Sequence, residues 1–123
     1  MPSSDDSLSV IRGNFILTLG LLLSTWVLGA FPEELVYRGY LVNRLGDLVG
    51  RNLPGKMISV ILSAGIFSLA HGRYDLHFLL TAFLAGIIEG WLYFASHKNL
   101  WLPIIFHGTT DSLSIILTFL EIL

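Results

Sequence analysis

The chain has 123 residues, of which 54% are hydrophobic and only 13% charged, with a net charge of −2. A soluble domain carries about 25% charged residues, so with a mean hydropathy of +0.74 the composition favours a membrane protein. The charge balance argues against a nucleic-acid surface, and the absence of cysteine excludes disulfides, thiolate zinc sites and a cysteine nucleophile.

Residues 1–13, with Ser3, Ser4, Asp5, Asp6 and Ser7 together, read as a flexible polar tail. Residues 14–31 carry no charge and come within the length of about 17–25 residues that crosses a bilayer. A signal peptide fits this stretch poorly. Its leading segment is acidic, Arg12 is its only positive charge, and no small-residue cleavage site follows. The intramembrane helical domain is therefore expected over 14–123.

Residues 32–49 read as a separate helix. Pro32 suits a first helical turn, and Glu33 and Glu34 suit the positive end of the helix dipole. Arg38, Asn43, Arg44 and Asp47 interrupt its apolar surface, so it is expected to begin at membrane depth and run out to the interface. Turn residues at Gly50, Asn52, Pro54 and Gly55 mark a loop. Apolar stretches at 57–71, 76–96 and 100–120 follow, with short joints that imply antiparallel neighbours. Ala82, Gly86 and Gly90, spaced by four, permit close helix approach in lipid. The expected fold is an all-α transmembrane bundle of about four spanning helices plus an interfacial motif helix. Arg44, Arg51 and Lys56 place the 44–56 loop on the cytoplasmic side of a multi-pass membrane protein.

Ionisable residues inside a bilayer are costly and usually mark function. In PEELVYRG, Pro32 to Gly39, Glu34 and Arg38 lie four apart and pair in the favourable order, acid before base. Glu33 is rotated about 100° from Glu34 and escapes that pairing. In FSLAHG, Phe67 and His71 share a helical face, and in NLWLPIIFHGTTDSL so do His107 and Asp111. Each motif also has a bland reading: a charged helix start with an ion pair, a histidine capping carbonyls, a buried polar network. Depth counting adds a constraint, because ideal perpendicular helices leave His71 and His107 about 10 Å apart. Tilt, uneven spans or a kink near Pro103 would have to close that gap.

The succession E-E-x-x-x-R, F-x-x-x-H and H-x-x-x-D over about residues 30–115 resembles the CPBP family, the intramembrane proteases related to type II CAAX prenyl endopeptidases and to bacteriocin-processing and immunity proteins. The resemblance implies an intramembrane endopeptidase. Glu33 would be the general base that activates water, assisted by His71. His107 and the residue at 111 would hold the oxyanion, and Arg38 would hold Glu34. No cofactor is expected, since no local ligand pair such as H-E-x-x-H is present. If zinc binds, Glu33, His71 and His107 would be its ligands. The resemblance also implies a peptide or prenylated protein substrate, a lipid environment and room for oligomerisation. Prenyl proteases commonly carry Asn where this chain has Asp111, and an ionised carboxylate cannot donate to an oxyanion. Asp111 would then be protonated or would orient His107. Glu89 sits among apolar residues, with Arg73, Lys98 or a histidine as partners, or as part of the chamber wall. Two other classes fit the composition: a non-catalytic membrane protein of the same fold, serving immunity or scaffolding, and a proton-coupled transporter, against which the short chain and absence of an inverted repeat count.

Overall fold

The structure, a computed structural model, describes residues 9–121. Its helices are α1 (Phe15–Val49), α2 (Leu53–Ala70), α3 (Leu76–Ala95) and α4 (Trp101–Phe119), all long and apolar enough to cross a membrane. Polar side chains start three of them. Asn14, Asn52 and Asp75 accept from the backbone N–H of Leu17, Gly55 and Phe78 at 3.1, 3.0 and 2.9 Å, caps worth about 1 kcal/mol each. The Phe78 N–H, aided by Arg73, holds the Asp75 carboxyl below the usual carboxylate range.

The break expected before Pro32 does not occur. Residues 14–31 and 32–49 belong to one helix, and the motif segment is its continuation rather than a fifth, interfacial element. The physical reason is two π-helical stretches, Thr25–Ala30 and Leu35–Leu41, flanking a short α turn at Phe31–Glu34. Phe31 N–H bonds the Trp26 carbonyl and Val42 N–H bonds the Tyr37 carbonyl, each five residues back. A proline inside an α-helix clashes with the carbonyl four residues earlier and lacks a donor. The widened turn before Pro32 relaxes that conflict, so the residue that looked like a helix start is accommodated inside one.

Small residues set how closely the helices approach. On α3, Gly86 and Gly90 face α2: a Cβ built at Gly86 would lie 2.9 Å from Ala64 Cβ, and one at Gly90 2.8 Å from Val60 Cγ1. On α4, the Trp26 ring of α1 lies flush against Gly108, leaving no room for a side chain, and Trp26 Nε1 donates to Ser112 Oγ at 2.9 Å. Further hydrogen bonds cross between helices. Ser63 donates to the Tyr37 carbonyl, Ser68 to the Leu79 carbonyl and Asn43 Nδ2 to the Tyr93 hydroxyl, at 3.2, 2.8 and 2.9 Å. In lipid such bonds contribute about 0.6 kcal/mol each.

The outward faces are Leu, Ile, Val and Phe, among them Ile16, Leu28, Ile61, Leu84 and Leu113. Apolar helix surface turned outward all round a polar interior is the arrangement of an integral membrane protein. Of the polar tail read over 1–13, residues 1–8 lie outside the described residues. Residues 9–13 are not loose: Ile11 is buried, and Gly13 N–H bonds the Phe119 carbonyl at 3.3 Å.

The glycine contacts give a paired test. Gly86→Ala should lower the unfolding midpoint in detergent, a loss of about 1–3 kcal/mol from overpacking. Gly20→Ala, with nothing within 4 Å of the new methyl, should leave it unchanged or raise it. Thermal unfolding of both variants checks the packing, and equal midpoints would refute it.

Candidate active site

Three helices deliver the motif side chains to one place. The α turn of α1 carries Glu33 and Glu34, and the second π stretch carries Arg38. The end of α2 brings Phe67 and His71, and α4 brings His107 and Asp111. Glu33 Oε1 lies 4.0 Å from His71 Nε2, and Glu33 Oε2 lies 3.4 Å from His107 Nε2. Asp111 Oδ2 lies 3.2 Å from the same Nε2.

Both histidines reach Glu33 despite the expected depth gap of about 10 Å, and the His71 side chain recovers about half of it. Its ring folds back one turn, and Nδ1 lies 2.7 Å from the Phe67 carbonyl. A side chain leaning toward the helix N-terminus gains about one turn of depth this way. A carbonyl only accepts, so Nδ1 carries the proton there and, in the neutral ring, Nε2 presents its lone pair toward Glu33.

Phe67 explains why an aromatic residue belongs four before that histidine. Its ring meets His71 edge-on at 4.6 Å and His107 edge-on at 5.9 Å, with Tyr37 at 5.1 Å on another side. The Arg38 guanidinium lies 4.8 Å over its centroid. One buried ring thus spaces both imidazoles and supports the cation.

The two adjacent glutamates have different surroundings, as their helical rotation required. Glu34 is fully buried: its Oε1 accepts from Arg38 Nη1 at 3.0 Å and from His107 Nδ1 at 2.8 Å. The Glu33 side chain is 33% exposed and opens onto a cavity. That cavity, about 680 Å³, is walled by Phe67, His71 and Phe78 near the α2–α3 joint and by Leu84, Ile88 and Phe106 between α3 and α4. It takes no lining residue from the 44–56 segment. Leu84 and Ile88 in its wall are outward-exposed, so the cavity has a lateral face between α3 and α4.

Of the surroundings expected for Glu89, a histidine and the chamber wall are found and Arg73 and Lys98 are not, while its shortest ion pair, to Arg38, was not among them. Its Oε2 lies 2.9 Å from Arg38 Nη2, and its Oε1 3.8 Å from His107 Nδ1. The signal was present in the sequence: Ala82, Gly86, Glu89, Gly90 and Tyr93 fall on one buried face of α3, so Glu89 turns inward with the small residues.

Metal-ligand spacing occurs once among the described residues, at Glu34, Glu89 and His107, whose ligand atoms lie within 4.8 Å of one another. The Arg38 guanidinium is already 3.0 and 2.9 Å from those two carboxylates. A divalent cation there would face a like charge, so this set does not fit a metal while Arg38 is in place. Glu33, His71 and His107 have the donor types that zinc takes and face one cavity wall.

Nothing among curated proteins or solved structures matches the chain. Residues 15–113 match the family described as type II CAAX prenyl endopeptidase Rce1-like. That stretch holds all three motifs, from Glu33 to Asp111, together with α1, α2, α3 and the first part of α4, so the chain is a member of this intramembrane protease family.

Proposed function

We propose that the chain is an intramembrane endopeptidase in which Glu33 activates the attacking water. The observation that carries this reading is the division of labour among the carboxylates. Glu34 is buried against Arg38, and Glu89, though it edges the cavity wall, is buried and paired with Arg38, whereas the partly exposed Glu33 opens onto the cavity between two imidazoles. A water bridging Glu33 Oε1 and His71 Nε2 would sit against two acceptors 4.0 Å apart. Glu33 takes its proton as the water oxygen bonds to the substrate carbonyl carbon. The carbonyl oxygen gains the negative charge and is met by Nε2–H of a doubly protonated His107, whose Nδ1–H is held by Glu34. As the C–N bond breaks, Glu33 returns the proton to the leaving amine. Asp111, beside His107 Nε2, orients that ring rather than donating to the oxyanion.

Were zinc to bind, Glu33, His71 and His107 would hold it, and it would supply Lewis-acid polarisation of the carbonyl. The reading preferred is that Glu33 works without it.

The family's name supports a prenylated peptide as the substrate class, and the apolar walls at Phe78, Leu84, Ile88 and Phe106 suit a lipidated chain arriving from the bilayer. Arg44, Arg51, Lys56 and Lys98 stand against Asp47 at one end of the bundle. Loops 50–52 and 96–100 are therefore assigned to the cytoplasmic side of a cytoplasmic membrane.

Glu33→Gln should abolish cleavage of a prenylated peptide, a loss of about 100-fold or more, without moving the unfolding midpoint. Glu34→Gln should lower the midpoint, because breaking a buried pair costs about 3–5 kcal/mol. A peptidase assay run beside thermal unfolding in detergent separates the two. Full activity in folded Glu33→Gln protein would remove Glu33 as the base, whereas a folded wild-type protein that cleaves no peptide would leave the scaffold or immunity reading ahead.

Treatment with a strong chelator should change neither turnover nor the unfolding midpoint. Elemental analysis of the purified protein checks this. Stoichiometric zinc whose removal abolishes turnover and whose return restores it would make Glu33, His71 and His107 metal ligands instead.

A further inference from the structure

The described network contains one ionisable group that neither the motifs nor the mechanism uses. Glu89 comes from the middle of α3, is 2% exposed, and reaches the network from the side opposite Glu34. Gly86 and Gly90 let it do so, since α3 approaches so closely that a Cβ at Gly86 would lie 3.1 Å from Arg38 Nη2.

Without Glu89, the cluster would be poorly held. A single oxygen, Glu34 Oε1, accepts from both Arg38 Nη1 and His107 Nδ1. Arg38 Nη2 hydrogen-bonds only the Gly86 carbonyl, at 3.0 Å. A guanidinium fixed by one carboxylate oxygen and one neutral carbonyl can pivot, and the oxygen it shares with His107 would move with it. Glu89 supplies a second carboxylate on the far side, an ion pair at 2.9 Å without hydrogen-bond geometry, and places its other oxygen 3.8 Å from His107 Nδ1. Both carboxylates then face the same ring nitrogen. A flipped imidazole would turn carbon toward them and leave Glu34 Oε1 with the Arg38 donor alone.

We propose that Glu89 is a positioning residue: it closes a buried Glu34–Arg38–Glu89–His107 ring that fixes the His107 imidazole with Nε2 toward Glu33 and the cavity. This rests on the peptidase reading for its consequence in catalysis, but not for the geometry. Glu89 acts through Arg38 and His107, so it should alter the chemical step more than substrate binding.

The test is Glu89→Gln, which keeps shape and removes charge, studied in nanodiscs with selectively 15N-labelled histidine. The His107 signals are assigned by their loss in His107→Gln. In Glu89→Gln the His107 Nδ1 signal should shift or broaden, while those of His71, His77 and His97 stay in place. Against a prenylated peptide, kcat should fall about 10- to 100-fold with KM within about two-fold. If Glu89→Gln does not fold, Glu89→Asp, which keeps the charge but withdraws it by about 1.5 Å, is read in the same way. Unmoved His107 signals in a folded variant overturn the proposal, as does an effect on KM alone. If the wild-type protein cleaves nothing yet the His107 signals move, the positioning role stands and it is the peptidase reading that falls.

Discussion

A guanidinium buried among four apolar helices has to be neutralised in place, because water cannot reach it and arginine does not give up its proton. Arg38 is that group, fully buried. Glu34 from its own helix and Glu89 from α3 neutralise it, the Gly86 carbonyl takes a further hydrogen bond, and the Phe67 ring lies against its face. α1, α2 and α3 are thereby fixed around one cation, and His107 joins them to α4 through the oxygen it shares with Arg38. Lipid offers little hydrophobic gain for helix association. This electrostatic knot, together with the close glycine contacts, therefore sets where the helices stop.

The same knot separates the roles of two neighbouring glutamates. They share a backbone turn and near-identical intrinsic chemistry, yet one faces the cation and the other the cavity. The π stretches on either side shape that turn. Each widens the helix by one residue, which lets Pro32 stay inside the element and sets the angular placement of Glu33, Glu34 and Arg38 relative to the residues before and after them. Functional groups placed at π-bulges are a recurring use of this irregularity, since it re-aims side chains without ending the helix.

Much of the site was legible in the sequence because four-residue spacing on a helix is a reliable statement about neighbours. Glu34 with Arg38, Phe67 with His71 and His107 with Asp111 all lie together as that spacing requires. The four apolar spans followed from composition and length. What could not be read were features that depend on non-ideal backbone or on tertiary meeting points. Pro32 and the acidic pair looked like a helix start because π geometry leaves no local signature as strong as a proline. Glu89 had no neighbour of opposite charge on its own helix, so its partner emerged only when α3 packed against α1. Part of the closure of the His71 depth gap came from a side-chain rotamer, which helical counting does not supply.

The length of α1 has one more consequence. At 35 residues it extends about 50 Å, well beyond the roughly 30 Å of a hydrocarbon core. A rod this long meets changes of bilayer thickness by leaning more or less steeply. Leaning displaces its two ends most and its centre least. Pro32 is the central residue of α1, with Glu33 and Glu34 immediately after it. The two carboxylates thus sit at the fulcrum of the longest lever in the molecule, where swings of its ends scarcely alter their distance from the histidines.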